Sequence, residues 1–292
     1  MSAPALDVVI VSYCSRELLG RCLDSLAAHP PAGPMTVTVV DNASGDGTPE
    51  IVAAAYPEVD VIALGENLGF GAATNIGIRR GSAPYVLALN PDAAIEEGTL
   101  ATLLELMESD PLIGCAGPAL YQEDGTFDHA ARRSFPTPLS SLAHFTGIGR
   151  RVRSGPLAAY RAPEVERGEV DAVNGAFMLL RRRALERIGL FDEGFWMYME
   201  DLDLNWRLAR DGWTTFYEPS VRAIHSKGGT TGGHRDARLE VAFHRGMGRF
   251  YRKHYAPERP QALNAVVYAG IGVKLTVTLI RGRMTACPPR SG

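Results

Sequence analysis

The sequence predicts an α/β fold in which a mostly parallel central sheet is flanked by helices and followed by a helical C-terminal extension. Two observations carry that expectation. Four short β-branched runs, at 6–11, 37–40, 59–64 and 85–89, alternate with segments of helical apolar spacing, which is the signature of βαβ units. A chain of 292 residues with 46% hydrophobic content has volume for one large core with appendages, or for two modest ones.

The elements follow in order. Strand 6–11 leads to a helix from Arg16 to Ala28, with Leu18, Leu19, Cys22, Leu23 and Leu26 on one face and a stop before Pro30 and Pro31. Helices are expected to begin near Thr48 and Gly71, and another covers Leu100 to Met107. From about Leu112 to Gly168 the periodicity weakens among turn residues and arginines, which reads as a mixed or loop-rich insertion. Strands at 170–174 and 176–180, a helix from Arg183 to Ile188, a helix ending near Asp211, and strands at 214–217 and 221–225 complete this part. Ala262 to Ile280 carries Lys274 as its one charged residue, and is expected to be an interfacial or packed helix rather than a span, which needs about 20 apolar residues. The final PPRSG is expected to be disordered.

Composition excludes some classes. A net charge of −3 argues against a nucleic-acid partner, which calls for a basic face. Cys14, Cys22, Cys115 and Cys287 are far apart without Cys-x-x-Cys spacing, so a disulfide framework or zinc site is not expected and a reducing cytoplasm fits best. LDVVIVSY near the N-terminus runs into a buried strand without a basic leader, against secretion.

Polar residues cluster where chemistry is expected. Ligands of open parallel sheets bind beyond the carboxyl ends of the strands, and those ends carry Ser12 and Tyr13, Asp41 and Asn42, Asn67, then Asn90 and Asp92. Each alone reads as a turn or cap residue; together they point to one crevice. Gly69-Phe-Gly71 precedes a helix, but no G-x-G-x-x-G or G-x-x-x-x-G-K-[ST] occurs, which excludes the dinucleotide and NTPase fingerprints.

The segment FDEGFWMYMEDLDLNWRL, 191–208, places Glu200, Asp201 and Asp203 among aromatic and apolar residues, where an unpartnered carboxylate costs several kcal/mol. Two readings stand. One is a helix start, with Glu200 and Asp201 in the first turn and Asp203 paired to Arg207 four residues on. The other is a general base at a helix N-terminus in an aromatic-walled cleft.

In this order the chain resembles the family-2 glycosyltransferases of GT-A fold, and among them the rhamnosyltransferase-like members that build bacterial cell-surface glycans. VVIVSY, VVDNASGDGT, ENLGFGAATNIGI, LALNPDA, VNGAFMLLRRRALERIGLFDEGFWMYMEDLDLNWRLARDGW and AIHSKGG carry the resemblance. It implies a GT-A domain over 1–258, with a nucleotide-binding half to 110 and an acceptor and catalytic half from 111. Residues 259–292 form an apolar helix and tail with potential membrane association.

The resemblance also implies roles. Asp41 would bond the pyrimidine, Ser12 and Tyr13 would line the base and ribose pocket, and Asn67 and Asn75 would lie close to the nucleotide. Asn90-Pro91-Asp92 occupies the D-x-D slot, so Asp92 would hold Mn²⁺ or Mg²⁺ with Asn90 in place of the first aspartate. His225 would complete the metal and diphosphate site, with a core histidine as the other reading of that residue. Asp201 would be the catalytic base and Glu200 a contact to the sugar or a structural neighbour. Apart from the resemblance, Lys227 or Arg235, in the glycine-rich loop after His225, offers a cation expected to assist the diphosphate as that loop folds down.

The implied reaction is inverting transfer of a sugar from a dTDP- or UDP-linked donor, rhamnose first, to a saccharide or lipid-linked saccharide. Galactofuranose, glucose and N-acetylglucosamine are the alternative sugars, and an inactive sugar-nucleotide-binding relative is the alternative class. A sugar nucleotidyltransferase would need a glycine-rich basic loop where VSYCSRELL stands. The basic stretches 132–167 and 249–283 could face the inner surface of the plasma membrane or be a solvated face.

Overall fold

The computed structural model describes residues 5–136, 166–226 and 236–285, with side chains to residue 281. The strands β1 (Leu6–Ser12), β2 (Met35–Asp41), β3 (Asp60–Ala63) and β4 (Tyr85–Leu89) run parallel, with β1 between β2 and β4. Helices α1 (Arg16–Ala28), α2 (Thr48–Ala55) and α3 (Phe70–Arg80) connect them. α1 buries Leu19, Cys22, Leu23 and Leu26 and ends at His29, before the two prolines.

All seven residues of β1 are buried, because helices cover both faces of the sheet and leave no wet side for polar alternation. Val8 and Ile10 pack with Leu19 and Leu26 on one face, while Val9 and Val11 pack with Ala73 and Ile78 on the other, as the two-residue period of a strand dictates. Asp7 sits at the N-terminal end of β1, away from the strand ends that form the crevice. Its oxygens accept from Ala83 N–H at 2.7 Å, Arg182 at 2.8 Å and Thr36 Oγ1 at 2.5 Å, so its charge is paired.

The rest of the chain extends the same sheet. β5 (Ala93–Ile95), α4 (Thr99–Ser109), β6 (Ile113–Tyr121), β7 (Arg132–Arg133), β8 (Gly168–Val170), β9 (Ala172–Val173), β10 (Phe177–Arg181), α5 (Arg182–Ile188), α6 (Glu200–Arg210) and β11 (Thr214–His225) follow. The nine-stranded order is β3-β2-β1-β4-β10-β6-β11-β5, with β8 beside β11, and β7 and β9 form a separate pair. β10 inserts antiparallel between β4 and β6, so the stretches before and after residue 110 share one sheet.

β6 corrects the loop-rich reading of the region after Leu112. Eight of its nine residues are buried. Its sequence, IGCAGPALY, is poor in β-formers because packing there demands small residues: a Cβ on Gly114 would lie 2.9 Å from Trp213 Cβ, and one on Gly117 2.9 Å from Val173. Pro118 pairs with Glu218 where the register of β11 shifts between Glu218 and Arg222, one of the irregular places where a sheet admits proline. That irregularity also joins the two strands expected at 214–217 and 221–225 into one bent strand.

α7 (Ala237–His254) buries Phe250 and Tyr251, and its Arg249 and Lys253 each reach Asp192 at 2.7 Å. α8 (Gln261–Thr285) touches α7 through Tyr251, whose hydroxyl donates to Asn264 Oδ1 at 2.8 Å and whose ring lies 5.6 Å from that of Tyr268. Ile271 is buried, while Leu263, Val266, Tyr268, Val273, Val277 and Ile280 are open to solvent. Gln261–Arg281 has the length and apolar composition of a membrane-crossing helix.

Candidate active site

The carboxyl ends of β1, β2 and β4 form one side of a crevice. Asn42 N–H donates to the Ser12 carbonyl at 2.8 Å, which brings the first two strand ends together. Ser12 is fully buried with its Oγ 3.1 Å from Ser15 Oγ, while Tyr13 is 39% exposed. Asp41 is buried and accepts from Ser44, at 3.0 Å from the amide and 2.5 Å from the hydroxyl.

Asn42 shapes the next loop. Its amide nitrogen donates to Asn67 Oδ1 at 3.1 Å and to the Gly69 carbonyl at 3.2 Å, and its oxygen accepts from Leu68 N–H at 2.9 Å. Gly69 adopts φ +87°, and a Cβ there would lie 2.1 Å from the Trp196 carbonyl oxygen, so only glycine fits. Phe70 N–H donates to that carbonyl at 2.9 Å, and Trp196 Nε1 donates to the Asn67 carbonyl at 3.3 Å. The Asn67 loop and the acidic segment are thus stitched edge to edge.

Asn75 has a different place from the nucleotide-facing one expected of it. It is buried, donates to the Phe191 carbonyl and Glu193 Oε1, both at 2.9 Å, and accepts from Phe191 N–H at 3.0 Å. Those bonds consume its amide in clamping the turn before α6.

Tyr198 and Met199 both adopt left-handed conformations, at φ 69° and 73°. Such backbone costs non-glycine residues of order 1–3 kcal/mol each and concentrates at functional sites. The other two described non-glycine residues with positive φ, Cys14 and Ala43, sit in the loops after β1 and β2. The strained turn starts α6 with Glu200, Asp201 and Asp203 in its first turn. Asp203 follows the helix-start reading: it pairs with Arg207 at 2.8 Å, and with Lys253 and His254 at 2.7 Å each. Its job is to hold α7 against α6.

Asp201 is buried. Its Oδ2 accepts from Gly175 N–H at 3.0 Å and from the Arg133 guanidinium, and its Oδ1 accepts from Leu202 N–H at 2.7 Å. The next residue, Ala176, accepts from Asn90 N–H at 2.9 Å, so the base candidate and the Asn90-Pro91-Asp92 turn are bonded to adjacent residues of the link between β9 and β10. Glu200 is buried, with its Oε2 lacking a hydrogen-bond partner among the described residues. Burial, reinforced by the Asp201 charge, pushes its carboxyl up to about 8, so it stays protonated at neutral pH.

Asp92 and His225 meet across β5 and β11. His225 Nε2 lies 3.5 Å from Asp92 Oδ1, and its Nδ1 lies 3.6 Å from Asp128 Oδ2. Burial works against the imidazolium, but hydrogen bonds and attraction from Asp128 and Asp92 raise the histidine to about 9. A cation binding there must displace that proton. His225 is buried with a carboxylate facing each ring nitrogen, an arrangement common to the metal-site and core-histidine readings.

The donor set fits a weak divalent site. Among the described residues no group of three or more His, Cys, Asp or Glu could hold a metal alone. Mg²⁺-type ions commonly take one or two carboxylates plus phosphate oxygens, so Asp92 and His225 would need a diphosphate to complete the shell.

Sequence reading missed Asp128 and Arg133. Both lie in 128–133, where Asp128 caps a short 3-10 turn by accepting from Ala130 N–H at 2.8 Å. An aspartate directly before a short turn was the available signal. The segment reaches His225 at one end and Asp201 at the other. Lys227 and Arg235 lie outside the described residues.

Comparison with known proteins settles the class. The family described as glycosyl transferase family 2 matches residues 7–189. This chain belongs to that family. It is 34% identical over 252 residues to the N-acetylglucosaminyl-diphospho-decaprenol L-rhamnosyltransferase of Mycobacterium tuberculosis, covering 82% of this chain and 81% of the relative. It is 28% identical over 225 residues to rhamnosyltransferase WbbL of Escherichia coli, covering 75% and 82% respectively.

Solved structures share the fold. The mannosyltransferase PcManGT of Pyrobaculum calidifontis, in complex with GDP-Man and Mn²⁺, aligns over 98% of this chain and 77% of its own, with TM-score 0.59 and 17% identity. S. aureus TarS with UDP-GlcNAc aligns over 91% and 71%, with TM-score 0.59 and 17% identity. The protein is a family-2 glycosyltransferase with the GT-A sheet.

Proposed function

We propose that this glycosyltransferase moves L-rhamnose from dTDP-rhamnose, with inversion, to a hydroxyl of a saccharide linked through diphosphate to a polyprenol. The observation that carries the reading is the juxtaposition of Asp201, on Gly175, with the Asn90–Asp92 turn and His225. The names of the mycobacterial and E. coli relatives supply the sugar, and the mycobacterial name supplies the acceptor class.

In this mechanism Ser12, Tyr13, Asp41 and Asn67 bind the nucleoside end of the donor and fix its register at the strand ends. Asp92 and His225 would hold a divalent ion, Mn²⁺ or Mg²⁺, which when bound offsets charge developing on the leaving diphosphate. Asp201 takes the proton of the acceptor hydroxyl as that oxygen attacks the anomeric carbon from the face opposite the diphosphate. Glu200, neutral in its buried site, offers a hydroxyl donor to the sugar while adding no second negative charge beside the base. Asn90 borders the same pocket, and Trp196, with the Arg238 guanidinium 4.3 Å over its ring, walls it.

The acceptor reading places the enzyme at the cytoplasmic face of the plasma membrane, with α8 as the membrane element. An exposed apolar helix of this length seats well in lipid. Residues 1–110 then supply most of the donor-binding groups, residues 111–258 the base, and 259–292 the anchor.

A thermal-shift panel of nucleoside diphosphate sugars with Mn²⁺ tests the donor, since a ligand of the native state raises the melting temperature. dTDP-rhamnose is expected to give the largest shift, and to lose it when the metal is chelated. A larger shift with UDP-galactofuranose, UDP-glucose or UDP-GlcNAc would replace the sugar, and no shift with any donor would overturn the proposal.

A further inference from the structure

Three separate elements meet at the His225 ring. Asp92 and His225 are fixed to each other by backbone: Ala93 pairs with His225 across β5 and β11, and Ser226 N–H donates to the Asp92 carbonyl at 2.9 Å. Asp128 arrives from the chain after β6. Its N–H donates to the carbonyl of Leu120, the β6 residue paired with Ala223 of β11, at 2.8 Å. Its Oδ1 accepts from Ala130 N–H at 2.8 Å and caps the short turn that follows. Its Oδ2 lies 3.6 Å from His225 Nδ1, while Nε2 of the same ring lies 3.5 Å from Asp92 Oδ1.

The two carboxylates are not equivalent. Asp92 is 8% exposed, in the turn after β4, whereas Asp128 is 1% exposed, so the deeper carboxylate faces the ring nitrogen turned away from Asp92. A neutral imidazole carries one N–H and one lone pair. It can bind a cation through Nε2 only when its hydrogen sits on Nδ1, and the bond made by that other nitrogen decides the matter. An ionised carboxylate only accepts, so Asp128 selects Nδ1–H.

We propose that Asp128 is a positioning residue for the divalent ion: it keeps the hydrogen of His225 on Nδ1, which leaves the Nε2 lone pair for the cation shared with Asp92. The inference rests on the metal reading of His225 above. The 3.6 Å separation is longer than a hydrogen bond, and contacts of this kind are often long in a ligand-free site and tighten in the complex.

A turn cap, or a negative charge acting through space, would behave differently. Asp128→Asn keeps the shape of the side chain and the oxygen that caps Ala130, but turns an NH₂ group on Nδ1, which drives the hydrogen to Nε2, where the cation belongs. Asp128→Ala removes the cap and the charge, and leaves either tautomer open. The positioning role therefore ranks the two variants in opposite orders: alanine is the less stable, and asparagine the weaker in metal binding.

The test uses the full chain and calorimetric titration of dTDP, once with saturating Mn²⁺ and once with excess chelator, beside melting curves. The ratio of the two affinities isolates the contribution of the metal from that of the nucleoside pocket. It is expected to fall by about tenfold or more in Asp128→Asn and by less in Asp128→Ala, although Asp128→Ala melts lower. His225→Ala sets the full loss, and adding Asp128→Asn to it should lower the ratio no further, as expected of two residues that act through one contact. In wild type with dTDP and Mg²⁺, nitrogen NMR spectra should show His225 protonated at Nδ1 and not at Nε2, a readout that needs no variant to fold.

A ratio that falls equally in the two Asp128 variants, or that tracks their melting temperatures, would reduce Asp128 to a charge or a turn cap and overturn the proposal. So would a hydrogen on Nε2 in the Mg²⁺ complex, or a wild-type ratio in Asp128→Asn where His225→Ala has lost it. If wild type gains no affinity from Mn²⁺, or His225→Ala keeps the wild-type ratio, the metal reading of His225 itself fails, and the positioning role with it.

Discussion

Replacing Asp201 by Asn separates chemistry from binding. The substitution keeps the size of the side chain and an oxygen able to accept from Gly175 N–H, but removes both the proton-accepting charge and one of the partners of Arg133. General-base assistance is worth roughly 10²–10⁴ in rate, or about 3–5 kcal/mol of activation free energy, so kcat is expected to fall by that factor. The stability cost comes from the ion pair, whose side chains are 10% and 16% exposed. A hydrogen bond to a charged group contributes about 1.5–3 kcal/mol, and about 2 kcal/mol lowers the melting temperature of a domain this size by roughly 4–8 °C.

Donor affinity is expected to change by less than about threefold, because none of the bonds to Asp201 comes from Ser12, Tyr13, Asp41 or Asn67. Transfer kinetics, a melting curve and calorimetric titration of the nucleoside diphosphate with Mn²⁺ measure the three quantities independently. Turnover near the wild-type value, or a loss of donor binding in step with turnover, would refute the assignment.

Three further outcomes follow from the same geometry. Gly69→Ala forces a Cβ to within 2.1 Å of the Trp196 carbonyl at φ +87°, and is expected to cost roughly 2–5 kcal/mol and weaken donor binding; an unchanged denaturation midpoint would contradict it. Glu200 keeps its proton to about pH 8 in the folded state, against a reference value of 4.5. Between those values the unfolded chain has released a proton that the folded one retains, so stability falls as pH rises, by up to about 1.4 kcal/mol per unit. Glu200→Gln should flatten that slope in urea titrations at pH 5 to 8, and an identical slope would show that the carboxyl is not held neutral. Removing 261–292 is expected to abolish co-sedimentation with anionic lipid vesicles while leaving turnover of a water-soluble acceptor within about twofold; retained co-sedimentation would place membrane binding elsewhere.

Much of the fold was legible because its signals are local. The β-branched runs, the apolar face of α1 and the (i, i+4) pairing of Asp203 with Arg207 each depend on a few adjacent residues, and each appears where expected. β6 was not legible, since its glycines answer to Trp213, Leu208 and Val173, partners distant in sequence. The same holds within the site. Strand ends marked Ser12, Asp41 and Asp92 as candidates, whereas Arg133 acquires meaning only when the β7 and β9 pairing, spanning some 40 residues, brings it to Asp201. Asn75 shows the converse: a polar residue in a telling motif can be consumed by packing, here against Phe191 and Glu193.

The central claim is that Asp201 stands opposite a diphosphate held at Asp92 and His225. A crystal structure with dTDP-rhamnose or a nonhydrolysable analogue and Mn²⁺ tests it most directly. The account predicts the metal between Asp92, His225 and the diphosphate oxygens, with an Asp201 oxygen on the far side of the anomeric carbon from the leaving group. A diphosphate bound away from the Asp92–His225 pair, or an Asp201 carboxylate on the same side as the leaving oxygen, would contradict it.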